Sequence, residues 1–168
     1  NYASPGVGTV GHFASELFNT MAGIRMVHVP YKGAAQYVTD LLAGHIDAAF
    51  IQIAQGAPYV RDGRLRAIGV AKLKRAPQLP DVPTIAEQGL PGYQSLNWTG
   101  LLAPAGTPRD IVAKLSNELI AALRSPAGET LTQTGFDVAA LGPDEYAEEH
   151  GPVGVGRVFY VWSAVFNI

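Results

Sequence analysis

Asn1-Tyr2-Ala3-Ser4-Pro5-Gly6-Val7-Gly8-Thr9-Val10-Gly11-His12 opens the chain, and its reading decides the fold. Tyr2-Ala3-Ser4 reads as the end of a strand already in progress. Residues 4–8 form a tight glycine loop, and the spacing beyond them predicts a helix over residues 9–22. Phe13, Leu17 and Met21 recur at i, i+4 and i+8, with Val10, Ala14 and Phe18 beside them as one broad apolar stripe expected to face the core. Gly23 stops the helix. Strand, glycine turn and helix N-terminus in that order make an anion site. The first helical N–H groups lack intrahelical partners, and the macrodipole adds roughly half a positive charge there. Gly6 and Gly8 allow close approach of a ligand to the backbone, Ser4 and Thr9 offer hydroxyls, and His12 lies in the first turn. The alternative is a plain strand-to-helix turn whose glycines serve backbone geometry alone.

The same alternation continues outward. Residues 25–29 form a β-rich run ended by Pro30. Residues 34–43 read as helix, with Val38, Leu41 and Leu42 inward and Gly44 closing it. Residues 46–53 are almost continuously apolar, as in a strand covered on both faces. A short helix through Tyr59 and Val60 ends at Asp62-Gly63, and residues 66–71 read as strand. Such alternation argues an α/β fold with a parallel, doubly wound sheet. Residues 72–91, with Pro77, Pro80, Pro83 and Pro91, form a long connection with one short helix at 84–88. Residues 97–103 read as a strand through Trp98. Thr107 (N-cap), Pro108 and Asp110 open a helix whose expected buried face is Ile111, Leu115, Leu119, Ala122 and Leu123. A shorter helix follows Ser125-Pro126, a strand covers residues 136–139, and another helix begins at 143–149. After His150 the text turns into glycine-rich and then greasy sequence, with no charge in residues 159–166.

Composition narrows the function. The 168 residues are 48% apolar and 15% charged, enough for one good core or two small lobes. Twelve basic and fourteen acidic residues give a net charge of −2, with no basic block or helix face, so no nucleic-acid footprint is visible. Cysteine is absent, which removes disulfides, thiol nucleophiles and cysteine zinc sites. No apolar run approaches the ~20 residues of a membrane span. The opening carries no signal peptide, and the chain is expected to be truncated at its N-terminus.

Gly6, Gly8 and Gly11 also satisfy G-x-G-x-x-G, so a dinucleotide site is a real alternative. That reading needs an acidic residue after the next strand, to hold a ribose. The segment His28-Val29-Pro30-Tyr31-Lys32 supplies none, and the nearest acid, Asp40, lies inside a predicted helix. In a doubly wound sheet, however, the loop from Tyr31 to Ala34 would sit beside the first loop. Lys32 would add positive charge there, and Gly33 and Ala34 would open a second helix N-terminus. His28 is expected to be a satisfied core histidine. Catalysis has little support: Ser4 is not in a nucleophile elbow, and His12, His28, His45 and His150 show no metal-ligand spacing. No catalytic residue, metal or cofactor is expected. Tyr93 and Trp98 read as packing groups.

Taken together, these blocks resemble the receptors of tripartite tricarboxylate transporters, also called the Bug or TctC-like family. The resemblance rests on Tyr2-Ala3-Ser4-Pro5-Gly6-Val7-Gly8-Thr9 with His12 and Glu16-Leu17-Phe18, then His28-Val29-Pro30-Tyr31-Lys32-Gly33. Leu41-Leu42-Ala43-Gly44, Gly63-Arg64-Leu65-Arg66-Ala67, Pro80-Asp81-Val82-Pro83-Thr84 and Trp98-Thr99-Gly100-Leu101 follow in the same order, with Ala103-Pro104-Ala105-Gly106-Thr107-Pro108 closing the series. The resemblance implies a periplasmic receptor of the type II binding-protein class. Such a receptor closes two lobes on a carboxylate and presents it to membrane permease subunits. On this chain it implies ligand contacts at Ser4, Gly6, Val7, Gly8, Thr9 and His12, with Tyr31, Lys32, Gly33 and Ala34 as the neighbouring wall. Residues 1–96 would be the second lobe, 97–150 the returning part of the first, and 151–168 an atypical tail for which a reading-frame change near His150 is one explanation. A complete member is close to twice as long, so the clamp is expected to be incomplete. Ile51 before Gln52 departs from the acidic or amide residue often found there, which favours a di- or tricarboxylate or an aromatic acid over an amino acid. A sensory carboxylate-binding module and a nucleotide-binding enzyme fragment are the alternatives.

Overall fold

The computed structural model describes residues 1–97, 101–104, 106–139, 141, 160–161 and 164–166, and the chain divides into two compact units meeting at Leu96 and Asn97. The first unit is built on a parallel three-stranded sheet. β1 (Tyr2–Ser4) is central, flanked by β2 (His28–Pro30) and β3 (Ala48–Ala49), in the order β2-β1-β3. Tyr2, Ala3 and Ser4 pair with His28, Val29 and Pro30, while Tyr2 and Ala3 pair with Ala48 and Ala49 on the other edge. α1 (Val10–Ala22) links β1 to β2, and α2 (Ala34–Leu42) links β2 to β3. Because the second connection crosses back over β1, the chain changes direction between β1 and β3. Such a switch point leaves a crevice at the carboxyl ends of the strands.

Side-chain alternation along β1 assigns its two faces. Ala3 packs with Tyr37 and Ile46 among Val29, Val38, Leu41, Ala49 and Ile51, the α2 side. On the other side, Tyr2 reaches Glu16 of α1, and Phe18 of α1 meets Phe50 and the fully buried Tyr93. Phe50 stacks on Tyr93 at 6.1 Å, and the Tyr93 hydroxyl donates to the Ala14 carbonyl at 2.8 Å, tying the segment after residue 90 to α1. α3 (Ile53–Arg61) buries Ile53 and Ala57 against Val70 and Ala76.

Several sequence expectations are corrected. The apolar run at 46–53 does cover both faces, Phe50 one way and Ala49 and Ile51 the other, but only Ala48–Ala49 pairs as strand and Ile53 already begins α3. Among the described residues, the strand pairing of residues 66–71 is a single parallel bridge from Val70 to Thr84. Residues 84–88 form turns, held by a reciprocal pair: Glu87 Oε2 accepts from Thr84 N–H and Thr84 Oγ1 from Glu87 N–H. On α1 the expected stripe splits: Ala14 is buried and Val10 and Phe18 pack on the core, whereas Phe13 is 62% and Leu17 and Met21 each 38% exposed, and the polar Ser15 and Asn19 are buried instead.

The second unit holds α4 (Arg109–Leu123) and α5 (Pro126–Thr134). β4 (Leu101–Leu102) runs antiparallel to β6 (Tyr160–Val161), and β5 (Asp137–Ala139) runs antiparallel to β7 (Ala164–Phe166). Pro108, not Thr107, is the N-cap of α4; the Thr107 hydroxyl turns back to the Pro104 carbonyl at 2.8 Å. α4 buries Val112 and Ser116, leaving Ile111 and Leu115 more than 40% exposed. Ser125 caps α5 by accepting from the Ala127 amide. The expected strand path through Trp98, the helix at 143–149 and most of the tail after His150 lie outside the described residues.

Candidate functional site

The β1–α1 loop leaves the carboxyl end of the central strand and turns through Gly6 (φ 146°) and Gly8 (φ 81°), backbone conformations that L side chains rarely adopt. A Cβ on Gly6 would also come within 3.4 Å of the Tyr31 carbonyl, and one on Gly11 within 3.2 Å of the Pro5 ring. The glycines therefore let the loop lie close to the β2–α2 connection and to the first turn of α1. Tyr31 N–H donates to the Ser4 carbonyl at 3.0 Å and seals the contact.

Hydroxyls in the loop are spent on the loop itself. Ser4 is fully buried; its Oγ donates to the Gly6 carbonyl at 3.0 Å and accepts from Gly6 N–H at 3.2 Å. Thr9 Oγ1 donates to the same carbonyl at 2.7 Å, and no side chain caps α1 at this N-cap. The helix thus begins without a side-chain acceptor for its first amides, the condition under which an external anion is welcome. Val7 is 75% exposed at the tip.

The sequence predicts a satisfied core histidine at 28, and the structure brings His28 to the loop. It is half-buried, and its Nε2 lies 2.7 Å from Ser4 Oγ. Its ring stacks on Tyr2 at 4.8 Å and lies 4.4 Å from the His12 ring. The signal was available in the strand alternation: Val29 shares the α2 side with Ala3, so His28 must share the other face with Tyr2 and Ser4. Burial lowers the His28 pKa below 6.5, the neighbouring His12 lowers it further, and Glu16 opposes both. His12 Nδ1 accepts from Gly8 N–H at 3.3 Å. Behind this pair, the Tyr2 hydroxyl donates to Glu16 Oε1 at 2.5 Å, and burial followed by that carboxylate raises the Tyr2 pKa.

In the second loop, backbone and side chains part company. The Tyr31 side chain turns toward α2, edge-on to Tyr37, with its hydroxyl donating to Asp40 Oδ2 at 2.7 Å. That bond raises the Tyr31 pKa and is the first cause of the lowered Asp40 pKa, His45 being the second. Lys32 is exposed and its N–H donates to Gln36 Oε1 at 3.3 Å. Gly33 is the N-cap of α2, and Ala34 begins it, again without a side-chain cap. Two uncapped helix starts therefore adjoin at the carboxyl edge of the sheet. Among the described residues no group of His, Asp or Glu is placed to hold a metal ion, and no helix is long and apolar enough to cross a membrane.

With this geometry in place, comparison with known proteins identifies the architecture. The family model described as "Tripartite tricarboxylate transporter family receptor" matches residues 1–148. The protein of the tcbD-tcbE intergenic region of Pseudomonas sp. strain P51 is 42% identical over 150 residues, 88% of this chain and 45% of that protein. Two solved structures from Rhodopseudomonas palustris align with 80% of this chain. Rpa4515 with adipate does so at 37% identity and TM-score 0.75 over 45% of its length, and MatC with bound malate at 39% identity and TM-score 0.74 over 46%. The periplasmic binding protein BugD aligns at 35% identity and TM-score 0.74, covering 80% of this chain and 45% of that one. The chain spans about half the length of the curated relatives it matches. Its α/β fold with a parallel sheet is that of part of a periplasmic binding protein.

Proposed function

The chain belongs to the tripartite tricarboxylate transporter receptor family, and on that premise we propose that it captures a small dicarboxylate in the periplasm for a membrane permease. The family and its structural neighbours are binding proteins rather than enzymes. The observation that carries the reading is the uncapped start of α1 behind the Gly6 and Gly8 turns. There, amides and the helix dipole converge beside a second uncapped helix start. One ligand carboxylate lies against Gly6, Val7, Gly8 and Thr9 with His12 beside it, and the Lys32 to Ala34 loop forms the adjoining wall. Ser4 holds the loop's shape from within. Residues 1–96 act as one lobe of a clamp and residues 97–150 as part of the other. Adipate and malate, bound by two neighbours, support a dicarboxylate as the chemical class.

A thermal-shift screen of the full chain tests this against dicarboxylates, tricarboxylates, aromatic acids, amino acids and nucleotides. Dicarboxylates should raise the midpoint and nucleotides should leave it alone; stabilisation by ligand grows with concentration over Kd. Stabilisation by nucleotides alone would return the glycine motif to the dinucleotide reading.

A further inference from the structure

The contact between Gly8 N–H and His12 Nδ1 (3.3 Å) occupies the loop amide that a carboxylate would use. It requires a lone pair on Nδ1, so the ring must be unprotonated at that atom. A carboxylate that accepts from Gly8 N–H displaces His12 Nδ1 and leaves its lone pair facing an anion. In that position a proton on Nδ1 turns the ring from a competitor for the amide into a second donor to the ligand.

We propose that carboxylate binding at the β1–α1 loop takes up one proton at His12; this rests on the reading that the loop is the ligand site. The step balances simply. Gly8 N–H passes from His12 Nδ1 to a carboxylate oxygen, and the proton comes from buffer or solvent onto the vacated nitrogen.

The surroundings favour one proton and oppose two. With the ring of His28, from β2, 4.4 Å from His12, two positive rings would repel. His28 is the ring that burial already keeps neutral, and its Nε2 is engaged by Ser4. Glu16, one turn along α1, and the Tyr2 hydroxyl of β1 that binds it lie behind His28, where the carboxylate works against the burial of that ring. After β3, the Phe50 carbonyl lies close to Gly11 of the first turn of α1 and does not titrate. The amino end of α1 supplies the opposing partial charge.

Calorimetric titration of malate and adipate into the full chain at pH 7, in Tris and in HEPES, reads the proton directly. The binding enthalpies should differ in the sense of uptake, by more than zero and up to one proton per site. Affinity should fall about severalfold between pH 6.5 and 8.5, the limit for one proton being about tenfold per pH unit. His12→Gln keeps an acceptor for Gly8 N–H but cannot be protonated, so the buffer difference should vanish. A second reading needs no variant: the NMR titration midpoint of the His12 ring should move to higher pH on adding malate. Equal enthalpies in both buffers, or an unmoved midpoint with malate bound, overturn the inference and leave the ligand site standing. Failure of both acids to bind overturns the ligand site, and the inference with it.

Discussion

Ser4 is a serine with no solvent to meet. Its hydroxyl bridges the Gly6 backbone and the His28 ring, so Ser4→Ala strands a half-buried nitrogen and a loop amide. The expected loss is about 1–3 kcal/mol, read by urea unfolding. His28 adds a pH signature. Its folded-state pKa lies below 6.5, so below that pH the unfolded chain binds the proton more readily than the folded one. Its contribution to stability is therefore present above 6.5 and declines as pH falls from there to the folded pKa. Melting temperature measured from pH 7.5 to 5 should show this decline, and His28→Gln should flatten it. At Gly6 the positive φ opposes a side chain. Gly6→Ala should cost about 1–3 kcal/mol and weaken malate binding in the same calorimetric assay. The glycine loop and His12 were legible from the residue order alone. The inward turn of the Ser4 hydroxyl and of the Tyr31 side chain was not, because each depends on a partner 9 to 24 residues away.

Among the elements, the helices carry the clearest lesson. Both α1 and α4 bury small or polar residues (Ala14, Ser15 and Asn19 in one, Ser116 beside Val112 in the other), and, although Phe18 of α1 packs on the core, other large apolar side chains on both stay more than a third exposed. Hydropathy periodicity locates a helix and its stop, as at Gly23. It cannot distinguish a face packed closely by small residues from a greasy face left open within these units. Asn19 shows why the polar choice works: its side chain donates to Glu16 Oε1 and accepts from Met26 N–H, fixing the return of the chain to β2. Asn19→Ala should destabilise by about 1–2 kcal/mol, whereas Leu17→Gln on the open face should stay within about 0.5 kcal/mol. In the second unit, a Cβ on Gly128 would fall 1.7 Å from the Leu123 carbonyl oxygen. Gly128→Ala must therefore push α5 off the end of α4, costing about 1–3 kcal/mol or more, checked by circular dichroism during thermal unfolding. Among the described residues, the strand expected at 66–71 shrinks to a single bridge, from Val70 to Thr84.

For the whole molecule, fold class was readable because helices and strands alternate in the order a parallel sheet requires, and the family because its blocks occur in one order through residue 148. Each unit keeps its own buried cluster: Ala3, Tyr37 and Ile46 in the first, Ala103 and Val112 in the second. A receptor of this class gains affinity by closing two lobes on its solute. This chain spans about half the length of such relatives, and the proposed grip on a carboxylate lies at its β1–α1 loop. Amide NMR spectra of the isotope-labelled full chain during a malate titration test that grip most directly. The largest, saturable shifts should fall on Gly6, Val7, Gly8, Thr9 and His12, with smaller ones from Lys32 to Ala34. Saturable shifts centred elsewhere, with the residues of the glycine loop unmoved, would contradict the account.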